Sequence, residues 1–107
     1  MQAIVPPEFL SQSHPGYILM HQHMKPNAIS QSRLARDIDV PQSRIAHLCN
    51  GTRAITADTA LRLAAFFGTT AEYWMELQSA HDLKVARATA WPDQEKRIRP
   101  LNMETNS

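Results

Sequence analysis

Apolar residues between positions 14 and 89 recur about every three to four residues, and no stretch reads convincingly as a strand. The pattern predicts five helices. Pro15 suits the first position of the first helix, which is expected to end before Pro26. A second helix spans about Gln31 to Ile38 behind Ser30 as N-cap. A third runs from about Gln42 to Asn50 and stops at Gly51, a natural residue just past a helix end. The fourth begins after Thr56, with Asp58 near the positive end of the helix dipole. Its Ala60, Leu63, Ala64 and Phe67 form one buried face, and Gly68 ends it. Thr69 and Glu72 have the spacing of a capping box for the fifth and longest helix, which carries Tyr73, Trp74, Leu77 and Ala80 toward Val85.

The flanks lack such periods. Residues 1–13 include Pro6-Pro7 and read as an arm. Residues 90–107, with Pro92, Pro100 and mixed charges, read as an extension in which Trp91 is large enough to dock back on the domain. The 14–89 domain lies between them.

The stretch "SQSRLARDIDVPQSRIAHLCNG" packs two short helices around a turn of three to four residues, the layout of a helix-turn-helix. Counted from Gln31, the fifth residue is Ala35, small where the two helices press together. The ninth is Asp39, in a turn that needs left-handed backbone, which Asp tolerates better than most residues. Leu34, Val40, Ile45 and Leu48 take the inward positions. Ser43, His47 and Asn50 then face outward and Gln42 projects from the N-terminal end, all able to exchange hydrogen bonds with base edges in a major groove. Arg44 lies to the side, suited to a phosphate. Gln31, at a helix N-terminus, and Arg53, in the following loop, suit phosphates as well. The plainer alternative for these polar residues is a solvated helix face.

Composition narrows the function classes. A chain of 107 residues with 43% hydrophobic content fits one small domain. It has no apolar run of about 18 residues and no signal-peptide pattern. The single Cys49 cannot form an internal disulfide, in keeping with a reducing compartment. These features predict a cytoplasmic protein. The net charge of +1 conceals a split. Residues 25–62 carry Lys25, Arg33, Arg36, Arg44, Arg53 and Arg62 against Asp37, Asp39 and Asp58, a balance of +3. Residues 71–95 carry Lys84 and Arg87 against Glu72, Glu76, Asp82, Asp93 and Glu95, a balance of −3. The first half suits a polyanion and the second does not.

Other constellations carry little. His21 and His23 sit two apart, so on a helix they point to different sides and make a poor metal pair. There is no phosphate loop, nucleophile elbow or paired catalytic carboxylate. No metal, no cofactor and no enzymatic activity are expected.

The chain resembles the HigA antitoxins, a branch of the lambda-repressor-like (XRE) helix-turn-helix proteins. The likeness is carried by His14-Pro15-Gly16 with Ile18-Leu19, by the central motif, and by "ITADTALRLAAFFGTTAEYWMELQSAHDL" at 55–83, and spans about residues 14–87. It implies an all-α, five-helix DNA-binding domain that dimerises and represses its own operon from a palindromic operator in double-stranded DNA. It also implies neutralisation of a HigB toxin, a small RelE-like ribonuclease acting on mRNA at the ribosome, in a bacterial cytoplasm. Asp39 departs from the usual turn glycine, His23 from an aromatic such as Phe, and His81 from Tyr. Neither flank falls within the likeness, so it assigns no toxin-binding surface. A homodimer is also expected from the domain itself, since one small helix-turn-helix covers a half-site. Tyr73, Trp74 and Leu77 are candidates for its interface, against the alternative that they pack within the monomer. Two other functions stay open: a stand-alone XRE repressor without a toxin, and a protein-interaction module using the helix-turn-helix as scaffold.

Overall fold

The computed structural model describes residues 12–101. Within the described residues the α-helices of the domain and its extension are, in order, α1 Pro15–Ile18, α2 Gln31–Ile38, α3 Gln42–Cys49, α4 Ala57–Phe67, α5 Ala71–Ala88 and a short α6 Trp91–Glu95. No strand occurs among the described residues. The first five make the expected helical domain, and α6 is added by the C-terminal extension.

His14 caps α1, its Nδ1 accepting the Gly16 N–H at 2.9 Å. The coil then widens into a π-helical turn, Leu19–Met24, and tightens into a 3-10 turn, Lys25–Asn27. The first helix thus ends before Pro26, as expected, and Pro26 lies in the first turn of the 3-10 segment that follows, where its missing N–H has no partner to lose. Residues 12 and 13, assigned to the arm, are helical, and Ser13 Oγ lies 2.7 Å from His81 Nδ1. The rest of that arm lies outside the described residues.

α2 and α3 match expectation closely. Ser30 Oγ accepts the Arg33 N–H at 3.1 Å. Asp39 adopts the left-handed conformation (φ 59°, ψ 55°), and the Val40 N–H returns to the Ala35 carbonyl at 3.0 Å. Gly51 (φ 82°) ends the turn after α3.

The N-cap of α5 is Thr70, whose Oγ1 accepts the Tyr73 N–H at 3.0 Å. Thr69, the expected cap, instead accepts the Trp74 Nε1–H at 2.7 Å. The pairing serves Trp74, which is fully enclosed with Leu19, Leu34, Ile45, Leu48 and Leu63 in the core. Trp74 is thus a core residue and not part of a dimer surface, because no face of its ring is left for a partner. Tyr73 and Leu77 are half-buried against the same core. His23 sits among these rings, its Nε2 at 2.9 Å from the Tyr73 hydroxyl and its ring centroid 4.8 Å from that of Trp74. His23 therefore packs as one more ring of this cluster, its polar tip satisfied.

The start of α1 presses directly on the end of α3. A Cβ at Gly16 would overlap the Leu48 carbonyl, which is backbone and cannot swing away. Glycine is thus required by close approach, not by its dihedral angles.

Candidate nucleic-acid interface

α3 is held on its inner side by Ile45 and Leu48, both fully buried. Helical geometry leaves Gln42, Ser43, His47 and Asn50 on the outer side, and all four are exposed. The structure thus brings together four of the predicted side chains as one polar ridge. Asn50 has a second duty. Its Oδ1 accepts the Thr52 N–H at 3.1 Å and the Thr52 hydroxyl at 2.6 Å, shaping the turn that leaves α3. Only its amide N–H groups are left to donate outward.

Gln31 is half-buried at the first position of α2. Ser30 Oγ satisfies the Arg33 N–H, so the preceding amides at this end stay oriented outward, as an approaching phosphate requires. Arg53 is exposed in the loop after α3 and makes no ion pair among the described residues.

Arg44, expected at the side of the ridge, also has a partner within the protein. Its Nη1 donates to Asp58 Oδ2 at 2.9 Å, and Arg62 Nε donates to the same oxygen at 3.0 Å. Arg62 Nη1 also donates to the carbonyls of Ile38 and Asp39, at 2.8 and 3.2 Å. A carboxylate shared by two guanidiniums therefore braces α3, α4 and the turn of the helix-turn-helix together. The Arg62 hydrogen bond, then that of Arg44, holds the Asp58 carboxyl below the usual carboxylate range. Part of the charge of Arg44 is spent inside the protein. The sequence counts Arg62 only toward the basic half; its i, i+4 spacing from Asp58 was visible, but its reach to the Ile38 carbonyl was not.

Gln78 is another residue that sequence did not single out. It is buried on α5, its Oε1 accepting the Ile55 N–H at 2.7 Å and its Nε2 donating to Asp82 at 2.9 Å. Ile55 is itself buried, so this bond and its side chain pin the loop that carries Arg53. His14 and His81 meet edge-on nearby, ring centroids 4.9 Å apart. With Tyr17, Cys49, Asn50, Gly51 and Val85 they line a hollow of about 290 Å³ behind the end of α3. Burial lowers the affinity of both imidazoles for a proton, and the neighbouring His81 lowers that of His14 further.

His21 and His23 diverge as predicted, His21 stacking on Tyr17 (centroids 4.0 Å apart) and His23 turning to Tyr73. Among the described residues no three His, Cys, Asp or Glu side chains gather as a metal-binding group. Burial raises the Cys49 thiol above its ordinary value, and its Sγ lies 4.0 Å from Met24 Sδ. No described helix is long and apolar enough to cross a membrane.

The helix-turn-helix family profile matches residues 21–74, the stretch that holds α2, α3 and α4. Virulence-associated protein I of Dichelobacter nodosus is 47% identical over 73 residues, 68% of each chain. An addiction module antidote protein of the HigA family from Coxiella burnetii has the same fold, with a TM-score of 0.77 and 45% identity. That match covers 81% of this chain and 95% of the other. Pseudomonas aeruginosa antitoxin HigA, solved with the higBA promoter, gives a TM-score of 0.79 at 38% identity, covering 82% of this chain and 96% of its own. Sharing both the profile and, over most of its length, the fold of these antitoxins, the chain belongs to the helix-turn-helix family, in its HigA antitoxin branch.

Proposed function

We propose that this chain is the antitoxin of a HigBA-type pair, repressing its own operon by binding operator DNA as a homodimer and neutralising an mRNA-cleaving toxin. It acts by binding and not by catalysis, in the bacterial cytoplasm. The observation that carries the DNA half is the exposed ridge of Gln42, Ser43, His47 and Asn50 on a helix whose other side is locked into the core. These four read base edges, while Gln31, Arg53 and the remaining donors of Arg44 hold phosphates. The solved Pseudomonas aeruginosa HigA with its promoter supports the same use of the fold here. Two-fold symmetry would set two α3 helices about 34–36 Å apart, one helical turn of DNA.

The test is a gel-shift series with the chain's own promoter across a range of salt, followed by co-expression with the adjacent reading frame. Specific retardation that weakens steeply with salt is expected, because phosphate contacts release counterions. Co-purification of a small basic partner, and relief of its toxicity, are expected as well. Failure to shift the promoter would leave a protein-interaction module. A shift with no toxic neighbour would leave a stand-alone repressor.

A further inference from the structure

Positions 72, 76, 79, 83 and 86 of α5 fall on one stripe of the helix. Glu72, Glu76, Ser79, Leu83 and Ala86 are all exposed, on the side away from the buried Trp74 and Gln78. At its C-terminal end the stripe opens into a groove of about 250 Å³ between Leu83, Ala86, Arg87 and Trp91. Leu83 and Trp91 are 49% and 37% exposed there. The other end of the stripe is acidic, and neither Glu72 nor Glu76 enters an ion pair among the described residues.

The segment after α6 has the opposite character. Lys96, Arg97 and Arg99 surround Ile98, with Leu101 following, and all are exposed, Ile98 at 55% and Leu101 at 82%. None of the three cations has a carboxylate partner among the described ion pairs. The chain thus displays an apolar patch joined to an acidic one on α5, and an apolar pair joined to a basic cluster on its tail. The lengths agree too. Leu83 and Glu72 are about 16 Å apart along the helix, and an extended stretch from residue 96 to 101 spans about 17 Å.

We propose that residues 96–101 of one chain lie along α5 of a second copy, and that the exchange is reciprocal about a two-fold axis. Leu101 fills the Leu83–Trp91 groove, Ile98 packs on the stripe beside Ser79, and Lys96, Arg97 and Arg99 face Glu72 and Glu76. Each copy gives a tail and receives one, so the contact closes and does not propagate. The inference rests on the homodimer proposed above and assigns it a surface, in place of Tyr73, Trp74 and Leu77.

Sedimentation equilibrium on the full chain tests it with two charge-reversed variants. The first is the tail triple Lys96→Glu, Arg97→Glu, Arg99→Glu; the second is the helix double Glu72→Lys, Glu76→Lys. Each variant alone places like charges across both contacts and should weaken self-association about tenfold or more. Mixed one to one, they should form a heterodimer of wild-type affinity, because both contacts then join opposite charges. A tail that folds back on its own α5 gives no rescue on mixing, and that result would overturn the proposal. So would a tail triple that dimerises as tightly as wild type, which leaves the dimer intact but places its surface elsewhere. A wild-type chain that stays monomeric would instead remove the homodimer itself. Circular dichroism checks that both variants fold, and gel shifts with a single half-site check that α3 still binds DNA.

Discussion

Gln78→Met removes two hydrogen bonds from the junction between α5 and the loop after α3 while keeping nearly the same side-chain volume. The Ile55 N–H, bonded to Gln78 Oε1 at 2.7 Å, lies in a residue only 3% exposed, so water cannot easily replace the lost acceptor. An orphaned buried N–H costs about 1–3 kcal/mol. The lost bond to the exposed Asp82 adds less, and the volume match keeps any cavity cost small. A net loss of about 2 kcal/mol follows, which lowers Tm by roughly 8–16 °C in a domain of this size. Urea unfolding followed by circular dichroism measures it. Because the loop carries Arg53, operator affinity should also become less salt-dependent. Gln78→Glu is the informative companion. It keeps an acceptor opposite Ile55 but replaces a donor to Asp82 with a second carboxylate, so it should recover part of the Gln78→Met loss and not all of it. If Gln78→Met lies within about 0.5 kcal/mol of wild type, the buried bond does not hold the loop and the reasoning fails.

Further expectations follow from other contacts. Gly16→Ala forces a methyl into the Leu48 carbonyl and should cost about 3 kcal/mol, with displacement of α3 visible as chemical-shift changes along residues 45–50. Gln42→Ala or His47→Ala should cost roughly 1–3 kcal/mol of operator affinity and relax preference at particular base pairs. Arg53→Ala should weaken all sequences alike and reduce the salt slope by about 1. Asp58→Asn removes the carboxylate that partly neutralises Arg44 and Arg62, so non-specific DNA affinity should rise and its salt slope steepen by about 1 per chain. Burial lowers the proton affinity of His14, His23 and His81 below that of the unfolded chain. Their neutral forms favour the fold, so stability is full above about pH 6.5, falls as pH drops below that, and levels off once the folded-state values are passed. His14→Asn keeps a cap on α1 without a titrating group and should flatten that acid loss in urea midpoints taken from pH 7.5 to 5.

The helix-turn-helix was legible in the sequence because its determinants are local. Ser30 caps the amide three residues on, Asp39 turns left-handed within its own dipeptide, and Gly51 ends the next helix. Each depends on chain neighbours, so a string of residue types is enough to place it. The outward ridge of α3 followed from the same source, since one inward pair, Ile45 and Leu48, orients the whole helix.

What only the tertiary structure decided involves partners far apart in the chain. Thr69 and Glu72 satisfied a capping pattern, yet Thr69 was drawn to the Trp74 indole and Thr70 took the cap. Trp74 read equally well as surface or core until the fold enclosed it completely. Arg44 looked free for phosphate until Asp58, fourteen residues on, came within 2.9 Å. Gln78 reaches Ile55 across twenty-three positions, and Gly16 is glycine because of a carbonyl at position 48. Periodicity states which side of a helix is apolar, but which distant group arrives on that side is set by packing, when the whole chain competes for the same buried space.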